Sequence, residues 1–397
     1  MDLKATALGV STLPKLLEKR RSLSSLQELR TNFEADKRTV LTLDAGGTNL
    51  VFTAIQANEQ VVEEVTLPSH ADNLDNCLSN IVEGFNEVKH KLNNEPVAIS
   101  FAFPGPADYP NGIIGDLPNL PAFKGGVALG PMLQEKFGLP VFINNDGNLY
   151  AYGEAIAGYL PYINDLLAKV GSVKRYKTIL GLTLGTGFGA GIVHDGTLMI
   201  GDNSNAAEIW LLRNKLNPQT NIEDHASIRG VRRIYAHESG VKLEDSPTPK
   251  EIFEISTGKK EGSKLGALKA FQEMGEAVGD AISNAVTLID GIVVIGGGLA
   301  GASEFFLSHV VKEMNGSFVG SDGKAFRRLI QRVYNLENKY DLEKFLKGGT
   351  KEISVYGTNR KVKYDPETRT GVGISKIGTS KAISIGAYAF ALSSLDR

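Results

Sequence analysis

The sequence predicts an α/β protein whose two lobes repeat one plan. Two apolar, strand-like runs, 40–43 and 177–184, each lead into a glycine-rich turn and a further strand. The turns are Asp44-Ala45-Gly46-Gly47-Thr48-Asn49 and Gly185-Thr186-Gly187-Phe188-Gly189-Ala190-Gly191. Identity between the halves is negligible, so the duplication is one of pattern. A third run, 141–144, stops at Asn145-Asp146-Gly147-Asn148 and restarts as a helix. That puts a carboxylate at the carboxyl end of a strand, where open α/β sheets hold their ligands.

Residues 1–38 read as a helical extension, because Leu13, Leu16, Leu17, Leu23, Leu26 and Leu29 are interspersed with Lys and Arg and Ser25 and Glu28 have capping-box spacing. A first lobe over 39–147 begins with strands at 40–43, 50–55 and 60–66. A helix follows at about 73–92, with Leu74, Leu78, Ile81, Val82, Phe85 and Val88 on one face. A strand at 96–101 runs into Phe103-Pro104-Gly105-Pro106-Ala107-Asp108, and after a loop rich in Pro and Gly come a helix at 128–137 and the strand at 141–144. The order is βββαβαβ. The second lobe, 148–379, has strands at 177–184 and 192–200, the latter with a reverse turn at Asp195-Gly196, then a polar region with Asn203, Glu208 and Glu223. A helix at 264–290 feeds a strand at 291–295 and the turn Gly296-Gly297-Gly298-Leu299-Ala300-Gly301. An insertion at about 316–375 holds a charged helix at 324–346 and strand-like runs at 352–356 and 361–374. An alanine-rich helix from about 380 closes the chain and is assigned to the first lobe.

With 397 residues, 42% hydrophobic and 22% charged, the composition is that of a globular protein with a sizeable core. A net charge of −2 offers no basic surface for nucleic acid or an anionic membrane. Cys77 is the single cysteine, which excludes an intrachain disulfide and a thiolate zinc cluster. With no signal-like N-terminus and no apolar run of membrane-spanning length, the expectation is a cytoplasmic protein.

The stretch from Asp44 to Thr48 suits a hairpin whose backbone N–H groups meet anionic oxygens, and Asp44 is placed to hold hydrated Mg²⁺. Gly185-Thr186-Gly187 offers the same bare N–H groups and one hydroxyl. Either alone is more often a tight turn. Both together, with Asp146 on a strand end between them, are hard to assign to turns alone, and Asp146 is the candidate catalytic base against the plainer reading of a helix start. Gly296 to Gly301 matches G-x-G-x-x-G, but the strand and acidic residue a dinucleotide site wants about 20 positions on are replaced by a polar loop at 317–324. No G-x-x-x-x-G-K-[ST] occurs.

Asp44-Ala45-Gly46-Gly47-Thr48, Phe103-Pro104-Gly105-Pro106-Ala107, Asn145-Asp146-Gly147-Asn148 with Gly153-Glu154, Leu184-Gly185-Thr186-Gly187-Phe188-Gly189 and Ile295-Gly296-Gly297-Gly298, in that order, resemble the ROK sugar kinases of the actin-like and hexokinase-like ATPase superfamily. The resemblance covers about 40–315 and the closing helix. It implies a ribonuclease H-like fold in which duplicated βββαβαβα lobes flank a central cleft, with ATP in the second lobe, a hexose at the hinge and, by family habit, a homodimer. By position, Asp44, Gly46, Gly47, Thr48, Asn49, Gly185, Thr186 and Gly187 would hold the phosphates and Mg²⁺, and Gly296, Gly297 and Gly298 would make room for the adenosine. Asp146 would take the proton of the attacking hydroxyl. Asn119, Asn145, Glu208 and Glu223 would bind sugar hydroxyls, a task suited to acids and amides because hydroxyls need acceptors and donors.

One departure concerns zinc. The family pattern is Glu-x-Gly-His followed by C-x-C-G-x-x-G-C-x-Glu. Here Glu208-Ile209-Trp210-Leu211 and Asn221-Ile222-Glu223 keep the acids without the histidine or any cysteine, so no zinc site is expected, and His225 does not rebuild one. The missing histidine also removes a sugar contact, which keeps a sugar-binding sensor without turnover as an alternative. A DNA-binding regulator of the same family would need a winged helix-turn-helix, for which 38 residues offer too little room.

Overall fold

The computed structural model describes residues 33–117 and 120–397. The expected N-terminal extension, up to position 32, and Asn119 lie outside the described residues.

The first half contains β1 (Val40–Ala45), β2 (Asn49–Gln56), β3 (Glu59–Gln60), β4 (Val65–Pro68), α1 (Leu74–Lys91), β5 (Ala98–Ala102), the small pair β6 (Ala107–Asp108) and β7 (Ile113–Ile114), α2 (Leu129–Phe137) and β8 (Val141–Asn144). Its sheet runs β3-β2-β1-β5-β8 with β4 also on β2; β1 and β2 are antiparallel, and β1, β5 and β8 are parallel. α1 starts where the Asn73 side chain accepts the Asn76 N–H, ends in Lys89, His90 and Lys91 against the helix dipole, and buries Cys77, Ile81, Phe85 and Val88.

α3 (Asp146–Ile156) and α4 (Tyr159–Lys169) lead to β9 (Thr178–Leu184), β10 (Phe188–His194) and β11 (Thr197–Leu198). α5 (Ile228–Ser239), α6 (Pro249–Thr257), α7 (Lys264–Ile289), β12 (Ile292–Gly296) and α8 (Ser303–Met314) follow. The final stretch holds β13 (Ser317–Val319), β14 (Ala325–Arg327), β15 (Arg332–Asn335), α9 (Lys339–Lys347), β16 (Lys351–Ser354), β17 (Lys361–Tyr364), β18 (Arg369–Ile374) and α10 (Thr379–Leu395). The second sheet runs β11-β10-β9-β12-β18-β15, with a β9–β10 hairpin and parallel β9, β12, β18 and β15.

Strict alternation along the strands builds a layered molecule. Ile292 and Val294 of β12 face a central layer with α3, α4 and α10, while Val293 and Ile295 face α5 to α8. The first sheet does the same, with Val40, Ile55 and Ala98 toward the central layer and Leu41, Leu43, Ile99 and Phe101 toward α1 and α2. α3 and α10 therefore lie between the sheets, and they cross where Gly153 meets Ala382 and Gly386 meets Leu149.

Two expectations are corrected. The charged helix at 324–346 is instead β14, β15 and the shorter α9, because Val333 and Tyr334 are buried and β15 pairs with β18; Asn338 then caps α9 by accepting the Tyr340 and Asp341 N–H groups. Consequently 316–375 is not simply appended, since β15 and β18 belong to the second sheet. Fully buried Arg369 fastens this region by donating to Phe345 O and Asp365 Oδ2, each at 2.7 Å. The polar region after Asn203 also contains α5 and α6, which the sequence signals through Ser227 as an N-cap with Val231, Ile234 and Tyr235 on one face, and through a capping box of Thr248 with Glu251, ahead of which Pro249 starts the helix.

Candidate active site

The register of the first sheet brings its chemistry to one edge. Asp44 pairs across from Ala102, and Ala102 from Asn144, so the Asp44 turn, the Phe103 loop and Asn145-Asp146 lie side by side. In the second sheet Thr183 pairs with Gly296, which sets the turns after β9 and β12 side by side as well. α3 joins the two edges. A methyl group at Gly147 would lie 2.6 Å from Ala190 O, so the helix carrying Asp146 rests directly on β10 of the other lobe.

Asp146 occupies the first position of α3, and its Oδ1 accepts the Gly147 N–H at 2.9 Å. Its side chain is open to solvent yet walled by protein on nearly all sides, the environment of a groove floor. Burial raises its carboxyl above the ordinary aspartate value, opposed by the backbone N–H groups. Asp44 is raised too, by burial first and then by the charges of Asp146 and Glu64. The two carboxylates are thus electrostatic neighbours. Asn145 spends its Oδ1 on the Asn148 N–H as the helix cap, so the helix-start reading holds for Asn145.

Glu208 begins a 3-10 turn at Ile209–Leu211 and accepts the Trp210 indole N–H. Ala207 before it has φ +64°, a left-handed conformation that non-glycine residues adopt at a cost. Glu223 lies on a second 3-10 turn, Ile222–Asp224, and its Oε2 accepts the Phe188 N–H at 3.1 Å. That places it on the Gly185–Gly187 turn, where a methyl at Gly187 would come 2.8 Å from the same oxygen. Tyr109 is a site residue that the sequence did not reveal. Its hydroxyl donates to Phe103 O at 3.0 Å, and its phenol is raised by burial and then by Asp146 and Glu208. Asp146 and Glu208 are therefore both close enough for the Tyr109 phenol to feel their charge.

The glycines divide into two kinds. At Gly47, Gly185 and Gly298 an added methyl would meet nothing within 4 Å, leaving room for a ligand beside bare backbone. Gly297 is structural as well, since its φ is +86°, a methyl there would lie 2.2 Å from Leu184 O, and its N–H donates to Thr379 Oγ1 at 2.8 Å. Gly46 closes the first turn through its N–H to Asn49 O at 2.9 Å, and Thr48 O accepts the Ser69 N–H. Thr186, between Gly185 and Gly187, is exposed. Among the described residues, no three His, Cys, Asp or Glu side chains are grouped to hold a metal, so any cation at Asp44 would draw its other ligands from water or substrate.

Glycine hairpins on the facing edges of two lobes, with a carboxylate on the helix between them, make this an actin-like ATPase fold. The chain belongs to the ROK family, whose model matches residues 40–335. It is 27% identical over 305 residues to a glucokinase of Thermotoga maritima, covering 72% of this chain and 91% of the relative. It is 30% identical over 278 residues to an N-acetyl-D-glucosamine kinase of Vibrio cholerae, covering 65% and 83%. A crystal structure of a glucokinase from Parabacteroides distasonis is 54% identical, with a TM-score of 0.84 over 91% of this chain and 99% of that one. A Streptomyces griseus ROK glucokinase in complex with glucose and AMPPNP shares the fold at 17% identity, with a TM-score of 0.56 over 88% and 98%.

Proposed function

We propose that this protein is an ATP-dependent sugar kinase that phosphorylates a hydroxyl of a hexose or N-acetylhexosamine, with Asp146 as general base. The observation that carries the reading is Asp146 itself, a solvent-open carboxylate crowded by protein on the linking helix, felt electrostatically by Asp44 and Tyr109 and flanked by two glycine turns. The named glucokinase and N-acetylglucosamine kinase relatives support the acceptor class, and the AMPPNP complex supports ATP as donor.

The residues present fit Mg²⁺-ATP, because Gly47, Gly185 and Gly298 leave open space beside the backbone and the Asp44 carboxylate stands among negative neighbours that a cation would relieve. Bound there, Mg²⁺-ATP supplies the transferable phosphoryl group and neutralises its developing charge. The Asp44–Asn49 and Gly185–Gly187 turns cradle phosphates, and of the Gly296–Gly298 run it is Gly298 that leaves room for the adenosine, since Gly296 is packed against Tyr150 and Gly297 against Leu184. Asn145, Glu208 and Glu223, with Asn119 from the sequence, hold the sugar so that one hydroxyl meets the Asp146 carboxylate. Asp146 takes that proton as the hydroxyl oxygen bonds to the γ-phosphorus and the bond to the bridging oxygen breaks, releasing ADP, and closure of the lobes about α3 excludes water.

The test is ADP release from Mg²⁺-ATP across glucose, mannose, fructose, N-acetylglucosamine, N-acetylmannosamine and allose. Sugar-dependent release names the acceptor; silence across the panel with sugar binding intact by calorimetry replaces the kinase reading with a sensor. Gly187→Ala checks the position of Glu223, with KM for ATP read alongside because Gly187 also belongs to the phosphate turn. The new methyl displaces the flexible Glu223 carboxylate rather than backbone, so KM for sugar is expected to rise about ten-fold with little change in melting temperature. An unchanged KM removes Glu223 from the pocket.

A further inference from the structure

Between the two candidate sugar acids, Glu208 and Glu223, the chain makes a closed loop. Its neck is pinned by Ile222 N–H to Leu212 O at 2.8 Å, by the Arg213–Asn221 bridge and by Asn214 N–H to Thr220 O at 3.1 Å. Inside it the Asn214 side chain is fully buried, with both its oxygen and its nitrogen hydrogen-bonded. Its Oδ1 accepts the N–H groups of Leu216 at 3.0 Å and Asn217 at 3.4 Å, while its Nδ2 donates to Thr220 Oγ1 at 3.2 Å and lies 2.7 Å from His225 Nδ1.

This pattern fixes a proton. The two backbone donors orient the Asn214 carboxamide, so the group facing His225 is the N–H₂, and His225 Nδ1 must accept. The neutral ring then carries its proton on Nε2, which points toward Glu273 Oε2 at 3.8 Å. His225 is itself buried, only two residues beyond Glu223. A ring protonated on both nitrogens would set two donors against each other at 2.7 Å, next to the loop that closes between the two acids.

We infer that Asn214 and His225 are positioning residues for sugar recognition, locking the 212–222 loop so that Glu208 and Glu223 are held at a fixed separation, and that the lock requires neutral His225 with Nδ1 as acceptor. The inference rests on Glu208 and Glu223 being sugar ligands. The groups facing the ring are Arg233 of α5, Asp224 of the 3-10 turn and Glu273 of α7. Burial, then Arg233, keeps the ring below the ordinary histidine value, against the opposite pull of Asp224 and Glu273. The lock is therefore closed at neutral pH and opens as pH falls through the lowered His225 value.

Two measurements decide it. Nitrogen NMR of the histidine rings in the unmodified protein reads the tautomer without reference to activity; an acceptor-type Nδ1 on His225 is expected, and a protonated Nδ1 overturns the lock. Kinetics then compare His225→Leu, which removes the acceptor, with His225→Asn, whose carbonyl oxygen stands near the Nδ1 position. KM for sugar is expected to rise roughly ten-fold in His225→Leu and to recover largely in His225→Asn, with KM for ATP within about two-fold throughout. Equal effects on both substrates, or no rescue, reduce the pair to a structural contact and overturn the inference. If the unmodified protein phosphorylates no sugar, the kinase reading fails on its own, while the tautomer still decides whether the lock exists.

Discussion

Replacing Asp146 by Asn is expected to lower kcat about 10²–10⁴-fold while leaving sugar affinity within a few-fold. The amide keeps nearly the same shape at the start of α3 but cannot take the proton of the attacking hydroxyl. The same substitution is expected to raise the melting temperature. The folded-state value of this carboxyl is raised, so its contribution to stability is full at low pH and is lost as pH rises through that value. Near neutrality the charged form burdens the fold, and Asn removes the burden. On the proposed mechanism the unmodified protein should accordingly lose kcat on the acid side at a pH above the ordinary aspartate range, because the base must be ionised. A mutant with both full activity and unchanged stability would remove Asp146 from the centre of the reaction.

The second large effect is expected where two helices cross. α3 and α10 approach so closely that a methyl at Gly153 would lie 1.9 Å from Ala382 O, and one at Gly386 would lie 1.9 Å from Leu149 O. Both obstacles are backbone, so no side chain can swing aside. Gly386→Ala is expected to cost about 3 kcal/mol or more, seen as a large shift of the denaturant midpoint or as insoluble protein. Gly301→Ala, where a methyl meets nothing within 4 Å, is the control and should unfold like the parent. Equal midpoints for the two variants would contradict the close crossing.

Much of the framework is legible because it follows from local periodicity. Strand 141–144 and the long helix at 264–289 announce themselves by apolar spacing, caps and glycines. The glycine turns are legible for the same reason: a hairpin with several glycines has few uses. What periodicity does not give is partnership over distance. Tyr109 sits in a short polar stretch, and only folding brings its phenol to Asp146 and Glu208. Arg332-Val333-Tyr334-Asn335 reads as part of a charged helix until β18 offers it a parallel edge. Asn214 and His225 look like scattered polar residues, because their worth depends on two backbone N–H groups that only the closed loop presents.

The placement of α10 bears on how the molecule is made. A ribosome that has delivered β1 to β8 has not yet delivered the helix that covers the inner face of their sheet, since that helix spans Thr379–Leu395 at the far end of the chain. Val40, Ile55 and Ala98 wait uncovered while the whole second lobe is synthesised, and the lobe begun first is completed last. Once in place, the last helix is clasped to the start of the described chain by Arg38, which pairs with Asp396 at 2.7 Å. The helix made last is thus tied to the threshold of the strand made first, so its docking is recorded where β1 begins.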